Sequence, residues 1–148
     1  MSSLLCENPL LVNNTKVNLI VTNPPFGTSM KYNKIKNSSD GLMEKFIEFA
    51  TLKTKIEKDW KSVFKSIYPI KTNNGACLFV QHCVYMLAEN GICIIVLPDG
   101  ELFEGSGKMW MRFRKWWCET VNIRTIVKVP GGTFKHAAVK TNIVVFTN

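Results

Sequence analysis

Apolar positions along the chain follow two different periods. Val17-Asn18-Leu19-Ile20-Val21-Thr22 is a β-branched run too short for a helix, and it stops at Asn23-Pro24-Pro25. Two prolines cannot continue a ladder, so the run predicts a strand over 17–22 followed by a rigid, extended loop. Residues 27–40 are polar and rich in Lys and Asn, which reads as surface loop. Asp40 is placed to cap a helix with apolar positions at Leu42, Phe46, Ile47, Phe49 and Ala50, continuing with a break through Ile56, Trp60, Val63 and Phe64. Tyr68-Pro69 ends it, and residues 71–75 form another loop.

The clearest helix is Ala76–Ala88, where Phe79, Val80, Cys83, Val84, Met86 and Leu87 recur at helical spacing and Asn90-Gly91 supplies the stop. Ile92-Cys93-Ile94-Ile95-Val96-Leu97 follows, a continuous apolar run of the kind buried on both faces of a parallel sheet, and Pro98-Asp99-Gly100 breaks it. Residues 108–119 form a second amphipathic helix. Its Met109, Trp110, Phe113, Trp116 and Trp117 share one arc, with Lys108, Arg112 and Lys115 opposite. Two further strands, Ile123–Val129 and Asn142–Phe146, flank the loop Pro130-Gly131-Gly132-Thr133-Phe134-Lys135-His136. Strand, helix, strand, helix, strand, loop, strand predicts an α/β layered domain.

With 148 residues, 46% of them hydrophobic and 20% charged, the chain is long enough for one ordinary core and shows no sign of wholesale disorder. No uninterrupted apolar stretch approaches a bilayer-spanning length, and Glu7 and Pro9 interrupt the apolar start, so neither a membrane span nor a secretory signal is expected. Five cysteines cannot all pair internally, and four sit in apolar surroundings. Free buried thiols and a reducing, cytoplasmic location follow as the expectation. The net charge of +8 is concentrated in residues 31–71 and fits a polyanionic partner such as DNA, but it equally fits a solvated, lysine-rich loop and helix. No Cys-x-x-Cys or His-x-x-x-His spacing surrounds His82, Cys77, Cys83 or Cys93, so no metal site is expected.

Chemistry concentrates at Asn23-Pro24-Pro25-Phe26. In an open α/β sheet, ligands bind just beyond the carboxyl ends of strands. Asn23 offers a side-chain carbonyl, Pro24 a rigidly aimed backbone carbonyl, and Phe26 a face for stacking, which together suit a flat, amine-bearing ring. The same four residues also make a plain strand-ending turn.

VNLIVTNPPFG resembles motif IV of the amino-methylating DNA methyltransferases, whose pattern is Asp/Asn/Ser-Pro-Pro-Tyr/Phe/Trp. GACLFVQHCVYMLAENGICIIVLPDGELFEG is similar to the helix, strand and Leu-Pro-Asp-Gly turn of the modification subunits of type I restriction–modification systems and related adenine methylases. IRTIVKVPGGTFKHAAVKTNIVVF looks like the same family's final hairpin, with its Pro-x-x-x-Phe loop and Lys-Thr-Asn strand start. The resemblance covers roughly Val17 to Phe146, least well over residues 28–74.

That resemblance implies a Rossmann-like methyltransferase with sheet order 3-2-1-4-5-7-6, of which this chain supplies strands 4, 5, 6 and 7. It divides the chain into 17–26 (strand and Asn-Pro-Pro-Phe), a variable Lys-rich insert at 27–75, and 76–148 (helix, strand, helix and hairpin), all within one partial domain. It implies transfer of methyl from S-adenosylmethionine to the exocyclic amine of a flipped adenine in DNA. Catalysis is implied for Asn23, Pro24, Pro25 and Phe26, and contact with the extruded base for Phe26 and Phe134, although a hydrophobic anchor would explain Phe134 as well. The family's Gly-rich cofactor turn and ribose-binding acid precede Asn-Pro-Pro-Phe, yet residues 1–22 contain neither Gly nor Asp. The Gly105-Ser106-Gly107-Lys108 run fails phosphate-loop spacing and reads as loop and helix start. The expectation is therefore a half-sheet with an apolar first-strand edge. A partner chain would bring the cofactor-binding half and a target-recognition domain; otherwise the chain is a non-catalytic, DNA-binding or structural remnant. Methylation of RNA or of a protein amide is a third implication.

Overall fold

A computed structural model describes residues 16–24, 65–133 and 139–148. Strand β1, Val17–Thr22, has the bounds its β-branched run predicts. Helix α1, Gly75–Met86, starts one residue earlier than expected because Asn74 caps it, its side-chain oxygen accepting the Cys77 N–H at 3.0 Å. Strand β2, Leu87–Pro98, follows directly, then a one-turn helix α2, Glu101–Glu104, and helix α3, Lys108–Thr120. Strands β3, Asn122–Val129, and β4, Thr141–Thr147, complete the hairpin. The helix expected between residues 42 and 64 lies outside the described residues up to 64; residues 65–67 are helical, and the helix ends before Tyr68.

The four strands form one sheet in the order β1-β2-β4-β3, with β1 and β2 parallel and β4 antiparallel to both its neighbours. This is the order expected of strands 4, 5, 7 and 6. Because β4 runs backwards, its start lies at the same edge as the carboxyl ends of the other three strands.

Two details differ from expectation. Asn90-Gly91 does not stop α1; the helix ends at Met86 and the pair forms an irregularity within β2. Asn90 takes φ +60°, and a Cβ on Gly91 would meet the Ala88 carbonyl at 2.9 Å, so only glycine fits that approach. The second difference is α2, which no periodicity announces. Gly100, at φ +94°, turns the chain, and its carbonyl accepts the Phe103 and Glu104 N–H groups.

The core is one cluster on one face of the sheet. Cys93, Ile95 and Leu97 of β2 and Val144 and Phe146 of β4 pack beneath Cys77, Val80, Cys83 and Val84 of α1 and Phe113 and Trp117 of α3. Met109, Trp110 and Trp116 lie half-buried against the same cluster, as the helical wheel predicts. Trp117 meets Phe146 edge-on with centroids 5.6 Å apart. Arg114 fastens the α2–α3 connection by donating to the Leu102 and Gly105 carbonyls.

The opposite face corrects the expectation that β2 is covered on both sides. Helices α1 and α3 pack on one side, so Ile92 is 42% exposed while Cys93, Ile95 and Leu97 are fully buried. Leu19 and Val21 of β1 share this open face with Ile92 and are 60% and 68% exposed. The outer edge of β1 pairs with no strand among the described residues. No described helix is long and apolar enough to cross a membrane.

Candidate functional site

The carboxyl edge of the sheet gathers the described parts of all three sequence motifs. Thr22 pairs with Ile95, so Asn23 and Pro24 emerge from β1 beside Val96 and Leu97. One strand over, β2 ends in Pro98-Asp99-Gly100, and Pro98 pairs with Thr141 at the start of β4. Val129, the last residue of β3, pairs with Thr141 from the other side. Neighbouring strands lie about 4.8 Å apart, so roughly 10 Å separates the axes of β1 and β4. Asn23 is exposed and Pro24 is buried. A buried proline at a strand end fixes the direction in which the exposed asparagine leaves the sheet. Pro25, Phe26, Phe134 and His136 lie outside the described residues.

At this edge Asp99 is tied to the neighbouring strand more firmly than its place in a turn suggests. Its carboxylate accepts a hydrogen bond from Asn142 Nδ2 at 3.0 Å, and its backbone N–H donates to the Lys140 carbonyl at 2.8 Å. The Asn142 hydrogen bond, the Gly100 N–H and the nearby Lys128 and Lys140 hold its carboxyl below the ordinary value. The only advance signal was its position in a turn that ends a strand.

Other titratable groups are structural. His82 is buried, with Nδ1 3.3 Å from the Tyr68 hydroxyl, and burial pushes its pKa down to about 4. Beside it Gln81 donates to the Ile70 and Cys77 carbonyls and accepts the Ile70 N–H, pinning the chain after residue 67 onto α1. Among the described residues, no three His, Cys, Asp or Glu side chains are placed to hold a metal ion.

The neutral His82 gives a pH signature. Below an unfolded-state pKa of about 6.5, the unfolded chain takes up a proton that the folded chain refuses. The stability this contributes is full above about pH 6.5 and is lost as pH falls toward 4, by roughly 3 kcal/mol at most. Urea midpoints should therefore drop between pH 7 and pH 4.5, and His82→Gln should flatten the drop. Equal pH slopes in both proteins would refute the assignment.

Cys77, Cys83 and Cys93 are buried free thiols, Cys118 is exposed, and Cys6 lies outside the described residues. Burial pushes the Cys77 thiol up to about 12. A hydrogen bond with Cys83 and then burial raise that of Cys93. A disulfide reagent mapped by mass spectrometry should label Cys118 in native protein and Cys77, Cys83 and Cys93 only in denaturant. Native labelling of Cys93 would contradict this packing.

Residues 3–148 match the family model described as N-6 DNA Methylase. The chain is 34% identical over 142 residues to the type I restriction enzyme EcoEI methylase subunit of Escherichia coli, covering 95% of this chain and 23% of that protein. It is 28% identical over 132 residues to the EcoKI methylase subunit of Escherichia coli strain K12, covering 89% of this chain and 19% of the relative. The crystal structure of the EcoKI M protein superposes with a TM-score of 0.65 at 25% identity, over all of this chain and 23% of that one. The chain thus spans about a fifth of the length of these relatives. A match across nearly every residue means that the chain belongs to the N-6 DNA methylase family.

Proposed function

We propose that these residues form the methyl-acceptor side of a DNA adenine-N6 methyltransferase. The observation that carries this reading is the emergence of exposed Asn23 and buried Pro24 at the carboxyl edge of the sheet, beside the ends of β2 and β4. The exocyclic nitrogen of adenine is a poor nucleophile because its lone pair is delocalised into the ring. The Asn23 side-chain oxygen and the Pro24 carbonyl each accept a hydrogen bond from that amine. Two acceptors draw it toward tetrahedral geometry and localise the lone pair. No strong base is needed before attack, which agrees with a site built from an amide and a backbone carbonyl. Phe26 and Phe134 stack on the extruded base, each contact being worth about 1–3 kcal/mol. Pro25 stiffens the loop that holds Phe26.

The reading implies S-adenosylmethionine, which supplies the methyl group when bound. The described residues do not form its site. Among the described residues, the carboxyl edge beside β1 carries no acidic residue for a ribose, and the Asp99 carboxylate on the next strand is engaged by Asn142. We therefore assign cofactor binding to polypeptide outside these residues and route no step through it. Leu19 and Val21 on the open face, and the unpaired edge of β1, are where such a segment would dock. DNA is the partner that the positive charge suits, with a target-recognition domain supplied from elsewhere in the assembly. Three buried free thiols suit a reducing, cytoplasmic setting.

The test is transfer of labelled methyl from S-adenosylmethionine to mixed-sequence DNA. The chain is assayed alone and together with the cofactor-binding half of a type I modification subunit. Label that appears only in the mixture, on adenine N6, and disappears with Asn23→Ala supports the proposal. A folded chain that binds DNA without any transfer would instead make it a non-catalytic DNA-binding relative.

A further inference from the structure

Strand β2 ends in a way that should weaken it. Pro98 has no N–H to donate to a ladder, and Gly100 at φ +94° turns the chain away immediately afterwards. The end of β2 is nevertheless the wall beside which Asn23 and Pro24 emerge.

Asp99, between the two, replaces the missing restraint with two bonds. Its N–H donates to the Lys140 carbonyl at 2.8 Å, and its carboxylate receives the Asn142 Nδ2–H at 3.0 Å. Asn142 is only 1% exposed, so its amide is locked by the core and cannot follow a wandering partner. The Asn142 hydrogen bond first, then the Gly100 N–H, with a smaller contribution from Lys128 and Lys140, favour the ionised carboxylate, the form that accepts most strongly. At the same edge Thr141 is 2% exposed, and its Oγ1 finds no partner among the described residues, so its hydroxyl takes no part in the tie.

We propose that Asp99 is a positioning residue for the acceptor site, clamped by Asn142 so that the carboxyl end of β2 and the start of β4 are held as one rigid wall beside Asn23 and Pro24. The role rests on the reading of Asn23 and Pro24 as the acceptor site. Asp99 touches no reacting atom; it fixes the strand ends that stand beside the residues that do. Displacing a reacting group by about 1 Å can cost about 10²-fold in rate, which is the scale on which such a clamp matters.

The experiment uses the assembled methylase with Asp99→Ala, Asp99→Asn and Thr141→Val. Asp99→Ala should lower kcat for methyl transfer about 10- to 100-fold, with the Kd for DNA within about threefold. Asp99→Asn keeps an acceptor oxygen toward Asn142 and should restore kcat to within about threefold of wild type. Thr141→Val, nearly the same shape, should leave kcat unchanged. Hydrogen exchange gives a readout independent of activity: the Asp99 amide should lose protection in Asp99→Ala and keep it in Asp99→Asn. Wild-type rates in Asp99→Ala, or equal losses in both Asp99 variants, would overturn the clamp. Absence of transfer by the wild-type assembly would overturn the acceptor-site reading and this role with it, whereas the exchange data would still report whether the tie exists.

Discussion

Asn23→Ala should lower methyl transfer by the assembled enzyme about 10²- to 10³-fold, the scale seen when one preorganised polar group is removed from a reacting centre. The side-chain oxygen is one of two acceptors for the amine in the proposed site, and alanine leaves the backbone carbonyl of Pro24 to act alone. Because Asn23 is exposed and lies beyond the last paired residue of β1, the truncation removes no core contact. Stability should therefore stay within about 0.5 kcal/mol of wild type. Asn23→Asp retains an acceptor oxygen and follows the Asp/Asn/Ser pattern of the motif, so it should keep more activity than alanine. Initial rates with labelled cofactor, read beside a urea midpoint, separate the two effects. Equal rates for Asn23→Ala and wild type would remove Asn23 from the site. A rate loss matched by a fall in midpoint would make its role structural.

The largest stability effect is expected at Phe146. The ring is fully buried at the centre of the β4 face, opposite Cys93 and Ile123 on its neighbours and edge-on to Trp117. Phe146→Ala removes the ring contact that joins α3 to the sheet and leaves a cavity that a β-strand cannot collapse. It should cost about 3–5 kcal/mol, a large part of the roughly 5–15 kcal/mol that stabilises a domain. The loss of the aromatic neighbour should also shift the tryptophan fluorescence of the folded fraction. Val21→Ala is the contrast, since Val21 is 68% exposed on the open face and should change the midpoint by less than about 1 kcal/mol. Similar losses in both variants would mean that the open face is covered in solution, for example by self-association.

Residue periodicity revealed the strands and helices where a single period ran uninterrupted. β1 has the bounds read from its β-branched run, and α3 buries the arc of Phe113 and Trp117 that the wheel placed inward. Strand order came from family resemblance, since no period distinguishes β4 beside β2 from β3 beside β2. Where signals overlapped, local reading failed. Asn90-Gly91 carries the residues of a helix stop, but the helix had already ended at Met86 and the pair serves a bulge inside β2. Helix α2 is a single turn, too short to display a repeat. At the candidate site Asn23 and Pro24 were legible because two prolines end a strand unmistakably. Asp99 was legible only as a turn residue, since its partner Asn142 lies 43 positions away.

By itself, then, the sequence determined the local conformations and the chemistry carried at the ends of the strands: where an amide and a rigid carbonyl stand together, and where helices present an apolar arc. These follow from φ restriction, side-chain period and donor–acceptor type, which are properties of neighbouring residues. Only the tertiary structure decided which face of β2 is covered, that β4 brings its start to the edge where Asn23 emerges, and that Asn142 grips Asp99. An apolar run records that a strand can be buried on both faces, but the actual cover depends on which helices pack there. Here α1 and α3 share one side, leaving Leu19, Val21 and Ile92 exposed on the other.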